Sequence, residues 1–119
     1  MPPNARSSPD VVWWVYVMLC ERGILYVGIS PDPVRRFQDH QNRKSCFSRM
    51  RRPLALLACH PWGPHAIAAA EKCRLKQQTR QRKLEWVGMI RQSRPWQQLV
   101  KAHGGGALTA AARTTEPTQ

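Results

Sequence analysis

Hydrophobic side chains run without interruption through residues 11–19: Val11, Trp13, Val15, Val17 and Leu19 fall on one face of an extended strand, and Val12, Trp14, Tyr16 and Met18 on the other. Two apolar faces predict a central strand covered on both sides. Glu21-Arg22-Gly23 supplies a turn, with Gly23 able to take positive φ, and Ile24 to Ile29 returns as the partner strand. Asp32 then stands where a helix N-cap belongs and Pro33 at the first helical position, predicting a helix that runs to about Arg43. Pro53 ends a basic loop and Leu54 to Cys59 reads as a third strand. A loop through Pro61 and Pro64 leads into an alanine-rich helix from about His65 to Gln78. Thr79 caps a further helix carrying Leu84, Trp86, Val87 and Ile90. The break at Ser93-Arg94-Pro95 opens a short last segment in which Trp96 and Leu99 pack back.

The order is therefore β-β-α-β-α-α, an α+β fold with a small three-stranded mixed β-sheet flanked by helices. A chain of 119 residues suffices for one such domain and one modest core. Residues 1–10 are rich in proline and serine without apolar periodicity, so they are expected to be a flexible N-terminus, with the domain at 11–103. The Gly104-Gly105-Gly106 run and the Thr/Ala-rich residues after it make 104–119 an expected flexible tail. No apolar run approaches the length of a membrane span, and the first residues lack the charged-then-apolar order of a signal peptide, so a cytoplasmic protein with no membrane partner is expected.

Charge narrows the partner. Lysine and arginine number 19 against 7 acids, a net charge of +12. Most of these bases fall between Arg35 and Lys83, where Asp39 and Glu71 are the only acids. Arg43, Lys44, Arg49, Arg51 and Arg52 form one basic run, and Lys72, Arg74, Lys76, Arg80, Arg82 and Lys83 form another, with Arg35 nearby. Such runs attract polyanions and contact phosphates without reading sequence. Trp62 is a candidate for stacking on a base, with a packing role as the alternative. Cys20, Cys46, Cys59 and Cys73 are widely spaced, with no pair two residues apart, which argues against a zinc cluster and offers no disulfide framework. Only Cys59-His60 near His65 leaves room for a stray metal site.

The candidate chemistry lies where the first two strands meet the first helix. Tyr16, Tyr26, Arg36 and His40 would converge on one surface, because Arg36 and His40 are four apart on one helix face. Glu71 follows in the alanine-rich helix, on a stripe that can reach the core edge. Taken singly, each has an ordinary reading: a tyrosine with a wet tip, a solvated helix face, a glutamate paired with Arg74 or Lys72.

Taken together, Trp14-Val15-Tyr16, Tyr26-Val27-Gly28, Arg36 with His40, Glu71 and the basic segment Lys76 to Lys83 resemble the GIY-YIG nuclease family, across roughly residues 11 to 101. The small stand-alone single-domain members look nearest. The resemblance implies a metal-dependent endonuclease that hydrolyses phosphodiester bonds in DNA, with RNA a further possible partner, leaving 5′-phosphate and 3′-hydroxyl ends. It implies that Tyr16 contacts the attacking water and is a candidate general base, with nearby cations such as Arg36 or the metal lowering its pKa or sharing the task. Tyr26 would hold the phosphate or the water. Arg36, rather than its weaker neighbour Arg35, would grip the scissile phosphate, and His40 would bond it or relay the proton. Glu71 would bind one Mg²⁺ or Mn²⁺. Two other readings stay open: a non-catalytic nucleic-acid-binding module, and a nuclease subunit that needs a protein partner for substrate choice. This chain departs from the family pattern in having Trp14 where the first triplet usually opens with glycine, and in the loop Asn42-Arg43-Lys44-Ser45-Cys46-Phe47-Ser48.

Overall fold

The computed structural model describes residues 11–42 and 53–104. The flexible ends expected at 1–10 and beyond Gly104 lie outside the described residues, as does the basic loop 43–52. Strand β1 (Trp13–Cys20) leads through a single 3₁₀ turn at Glu21–Gly23 into β2 (Leu25–Ser30). Helix α1 (Pro33–Asn42) follows, then β3 (Pro53–Gly63) and three helices, α2 (His65–Lys76), α3 (Arg80–Arg91) and α4 (Arg94–His103).

The strand order is β2-β1-β3, so the doubly apolar first strand is the central one. Both pairings are antiparallel, which corrects the expectation of a mixed sheet. The physical reason is placement: α1 returns the chain so that β3 runs in the same direction as β2, but β1 lies between them, and no two neighbours are parallel. Strand β3 also extends beyond the expected Leu54 to Cys59, through Pro61 to Gly63. Proline is tolerated there because β3 is an edge strand, and the pairing with β1 shifts register beside Pro61. The expected short last segment is a ten-residue helix, α4, with Pro95 in its first turn and Trp96 buried.

Local signals account for most element boundaries. Arg22 and Gly23 both take positive φ, 67° and 75°, which reverses the chain tightly enough for the Cys20 amide to donate to the Ile24 carbonyl at 2.7 Å. The Arg80 guanidinium donates to the Gly23 carbonyl and ties this turn to the start of α3. Asp32 Oδ1 accepts from the Arg35 amide at 3.3 Å, and Ser30 Oγ accepts from the Asp32 amide, so the entry to α1 is fixed from both sides. Thr79 Oγ1 accepts from the Arg82 amide at 3.1 Å, the predicted cap of α3.

One core unites the layers. Val15, Tyr16, Val17 and Met18 of β1 are buried with Phe37 of α1, Leu75 of α2 and Trp86, Val87 and Ile90 of α3. Helix α2 lies chiefly across β1 and β2, whereas α3 and α4 pack on β3. Arg91 fastens that edge: it donates to the Leu57 carbonyl at 3.1 Å and stacks over the Trp96 ring.

Candidate active site

Register decides which side chains can meet. Tyr16 stands opposite Gly28 and Met18 opposite Tyr26 in the β1–β2 ladder, and cross-strand partners share a face. Tyr16, Tyr26 and Gly28 therefore occupy one surface of the sheet. The tyrosine rings lie 6.2 Å apart, and the His40 ring meets Tyr26 edge-on at 6.0 Å. Arg36, one turn before His40 on α1, lies close enough to the Tyr16 phenol to favour its ionised form electrostatically. Fully buried Phe37 and Val34 seat α1 on the core, leaving Arg35 and Arg36 exposed.

Gly28 belongs to this site, although its sequence position signals only a member of a triplet. A Cβ built on it would lie 2.5 Å from the Tyr16 hydroxyl oxygen, far inside contact distance. The phenol lies against bare backbone that only glycine leaves open. The cross-strand register of Tyr16 against Gly28, once known, is the signal that finds it.

Electrostatics separate the two candidate bases. Burial pushes the Tyr16 phenol well above the ordinary tyrosine value, Tyr26 adds to the rise, and Arg36 opposes it without cancelling it. Of the cations expected to lower this pKa, Arg36 acts in that direction but is outweighed by desolvation. His40 moves the other way. Burial, then the charge of Arg36, lowers it below the ordinary histidine value, with Asp39 partly offsetting them, so the imidazole is neutral at pH 7.

Glu71 lies at the core edge as its stripe predicts, between buried Ala68 and Leu75 on α2. Its carboxylate accepts from Arg74 twice, from Nε at 2.9 Å and Nη2 at 2.6 Å. The carboxylate in turn raises the Arg74 pKa, through the hydrogen bonds first. Among the described residues no group of three or more histidine, cysteine or acidic side chains could hold a metal ion. That donor set fits only an ion content with one carboxylate and its own waters, as Mg²⁺ is. The possible stray site near Cys59 dissolves: the Cys59 thiol is fully buried and burial raises its pKa, His60 packs on Trp62, and His65 packs on Trp13.

The basic candidates divide three ways. Lys76, Arg80 and Arg82 are exposed and Lys72 and Lys83 half-buried on α2 and α3, with Arg80 already engaged at the β1–β2 turn. Arg35 lends its backbone amide to the α1 cap. Arg43, Lys44, Arg49, Arg51 and Arg52 lie outside the described residues. Trp62, the stacking candidate, packs between His60 and Trp86, 5.4 and 6.3 Å from their ring centres.

The family model described as the GIY-YIG catalytic domain matches residues 12–87. A UPF0213 protein of Xanthomonas campestris pv. campestris (strain 8004) is 42% identical over 76 residues, 63% of this chain and 74% of that relative. Another, of Nitratidesulfovibrio vulgaris (strain Hildenborough), is 30% identical over 118 residues, covering 98% of this chain and 94% of its own length. A third, of Aeromonas salmonicida (strain A449), is 37% identical over 82 residues, 67% of this chain and 60% of the relative. No solved structure matches.

Proposed function

This chain belongs to the GIY-YIG family, here among proteins named UPF0213, and on that premise we propose that it is a metal-dependent endonuclease acting on DNA. The observation that carries the reading is the joining of α1 to the sheet: the His40 ring closes on Tyr26, which lies beside Tyr16, and Arg36 is near enough to act on the Tyr16 phenol electrostatically. A phosphate set against this surface would meet a guanidinium, two phenols and a neutral imidazole.

Each group then has a role suited to its protonation state. Arg36 keeps its charge and pairs with phosphate oxygens. Tyr16, held protonated by burial, donates a hydrogen bond and orients the water or the phosphate rather than taking a proton. His40, neutral at pH 7, accepts the proton of the attacking water. Tyr26, against both rings, holds the reacting groups in line. A divalent ion bound through Glu71, Mg²⁺ or Mn²⁺, would supply Lewis-acid stabilisation of the developing negative charge. The basic side chains of α2 and α3 add affinity for the strand without choosing its sequence.

The test is incubation of the full chain with labelled single-stranded, duplex and branched DNA, and with RNA, in Mg²⁺, Mn²⁺ or EDTA. Cleavage of DNA is expected with metal, and its loss is expected in EDTA, in Arg36→Ala and in Glu71→Gln, while Glu71→Gln still binds DNA. The rate should fall in acid through an apparent pKa below the ordinary histidine value of 6.5. Binding without cleavage of any substrate would replace this reading with that of a non-catalytic nucleic-acid-binding module. Full activity of Glu71→Gln would refute the metal role alone.

A further inference from the structure

Glu71 and Arg74 lie one turn apart on α2, and their contact is a two-pronged one that engages both carboxylate oxygens. The two ends differ in surroundings. The Glu71 side chain is 12% exposed, whereas that of Arg74 is 55% exposed. Arg74 lines a groove of about 170 Å³ between α2 and α3, together with Gln78, Arg82 and Glu85, and with Leu75 and Trp86 behind them. Glu85 in that groove accepts from Gln81, and Gln78 donates to the Arg74 carbonyl. The pair thus joins the proposed metal ligand to a second surface, outside the tyrosine face, whose cationic side chains are Arg74 and Arg82.

A guanidinium and a divalent cation compete for one carboxylate, because each repels the other at contact distance. Loading an ion at Glu71 therefore requires Arg74 to loosen. Released, the guanidinium needs another planar pair of oxygens, and a phosphate offers the same two-oxygen match as the carboxylate it leaves. The side chain is exposed enough to turn, and the groove it lines holds a second arginine for the same anion.

We propose that Arg74 is a positioning residue that holds Glu71 while nucleic acid is absent and exchanges that carboxylate for a backbone phosphate of the bound strand, which seats at the Arg74–Gln78–Arg82 groove. The exchange makes and breaks hydrogen bonds only. It rests on Glu71 being the metal ligand. By linkage, DNA raises the affinity for metal and metal raises the affinity for DNA by one factor, so the ion is held well only when substrate is in place.

Mn²⁺ titrations read by paramagnetic broadening of the α2 amide resonances test this on the full chain, without and with a cleavage-resistant phosphorothioate duplex. Wild type, Arg74→Ala, Arg74→Gln and Glu71→Gln are compared, and their amide spectra report whether each is folded. Without DNA, Arg74→Ala and Arg74→Gln should bind Mn²⁺ roughly tenfold more tightly than wild type, within the usual range of coupling between sites. The duplex should tighten Mn²⁺ binding in wild type and lose that effect in both Arg74 variants. Arg82→Ala, with the Glu71–Arg74 pair intact, should weaken the same coupling. Unchanged Mn²⁺ affinity in the Arg74 variants, with broadening abolished by Glu71→Gln, would overturn the exchange and leave the metal reading standing. Broadening in wild type that survives Glu71→Gln would overturn both.

Discussion

At Gly28 one carbon atom separates a working surface from a blocked one. Adding it forces the Tyr16 hydroxyl, 2.5 Å away, to move, and the phenol is already buried among β1, β2 and α1. Gly28→Ala should destabilise by about 1–3 kcal/mol, the usual range for overpacking, and lower cleavage at least tenfold by displacing the Tyr16 hydroxyl from the site. Thermal unfolding and turnover on one preparation check both; a stable and fully active Gly28→Ala would show that the hydroxyl is idle. Burial of that phenol has its own signature. The chain has two tyrosines, so Tyr16 is the only one left in Tyr26→Phe. Its raised pKa favours the neutral phenol in the fold, so this contribution to stability is intact below the ordinary value near 10 and is lost as pH rises above it. Absorbance of Tyr26→Phe at about 295 nm should stay flat through the ordinary tyrosine range near pH 10 until the chain unfolds. A normal titration there in folded protein would contradict the buried site.

Elements place these residues, and their ends were the most legible part of the sequence. Thr79, Asp32 with Pro33, and Gly23 each mark a boundary, because a cap or a positive φ depends on a few adjacent residues. Thr79→Ala should cost about 1 kcal/mol, the usual value of a lost N-cap, seen as a lower denaturant midpoint with an unchanged slope. Because α3 packs on β3 and carries Arg80 to the β1–β2 turn, amide exchange should quicken in that turn as well as in α3. Faster exchange confined to the first turn of α3 would show that the two are not coupled. The ends of β3 were not legible in this way. Pro61 reads as a loop, and only its place on a sheet edge lets the strand continue past it.

At the scale of the whole molecule, a net charge of +12 should dominate association with any nucleic acid. The affinity for a duplex should fall steeply with salt, and Arg82→Ala should reduce the slope of log K against log salt by about 0.9, one phosphate contact. Replacing Arg80 should change it less, since that guanidinium is engaged with the Gly23 carbonyl. A salt slope near zero would remove the nucleic-acid reading. Among the described residues no helix is long and apolar enough to cross a membrane.

Periodicity, caps and turn residues are local, and they determined the number and order of the strands, the starts of α1 and α3, and the chemical groups on offer: two phenols, an arginine, a histidine and the carboxylate of Glu71. Tertiary structure decided what depends on partners distant in sequence. It made the sheet antiparallel by laying β1 between β2 and β3, and set Tyr16 over Gly28 by register. It also packed Trp62 between His60 and Trp86. The sequence allowed Glu71 either a metal or Arg74, and geometry alone showed both carboxylate oxygens on the guanidinium. Protonation followed the same division. Which residue ionises is written in its side chain, but how readily it does so depends on the water around it, and only the packed fold, by removing that water, favours the protonated Tyr16 phenol and the neutral His40 imidazole.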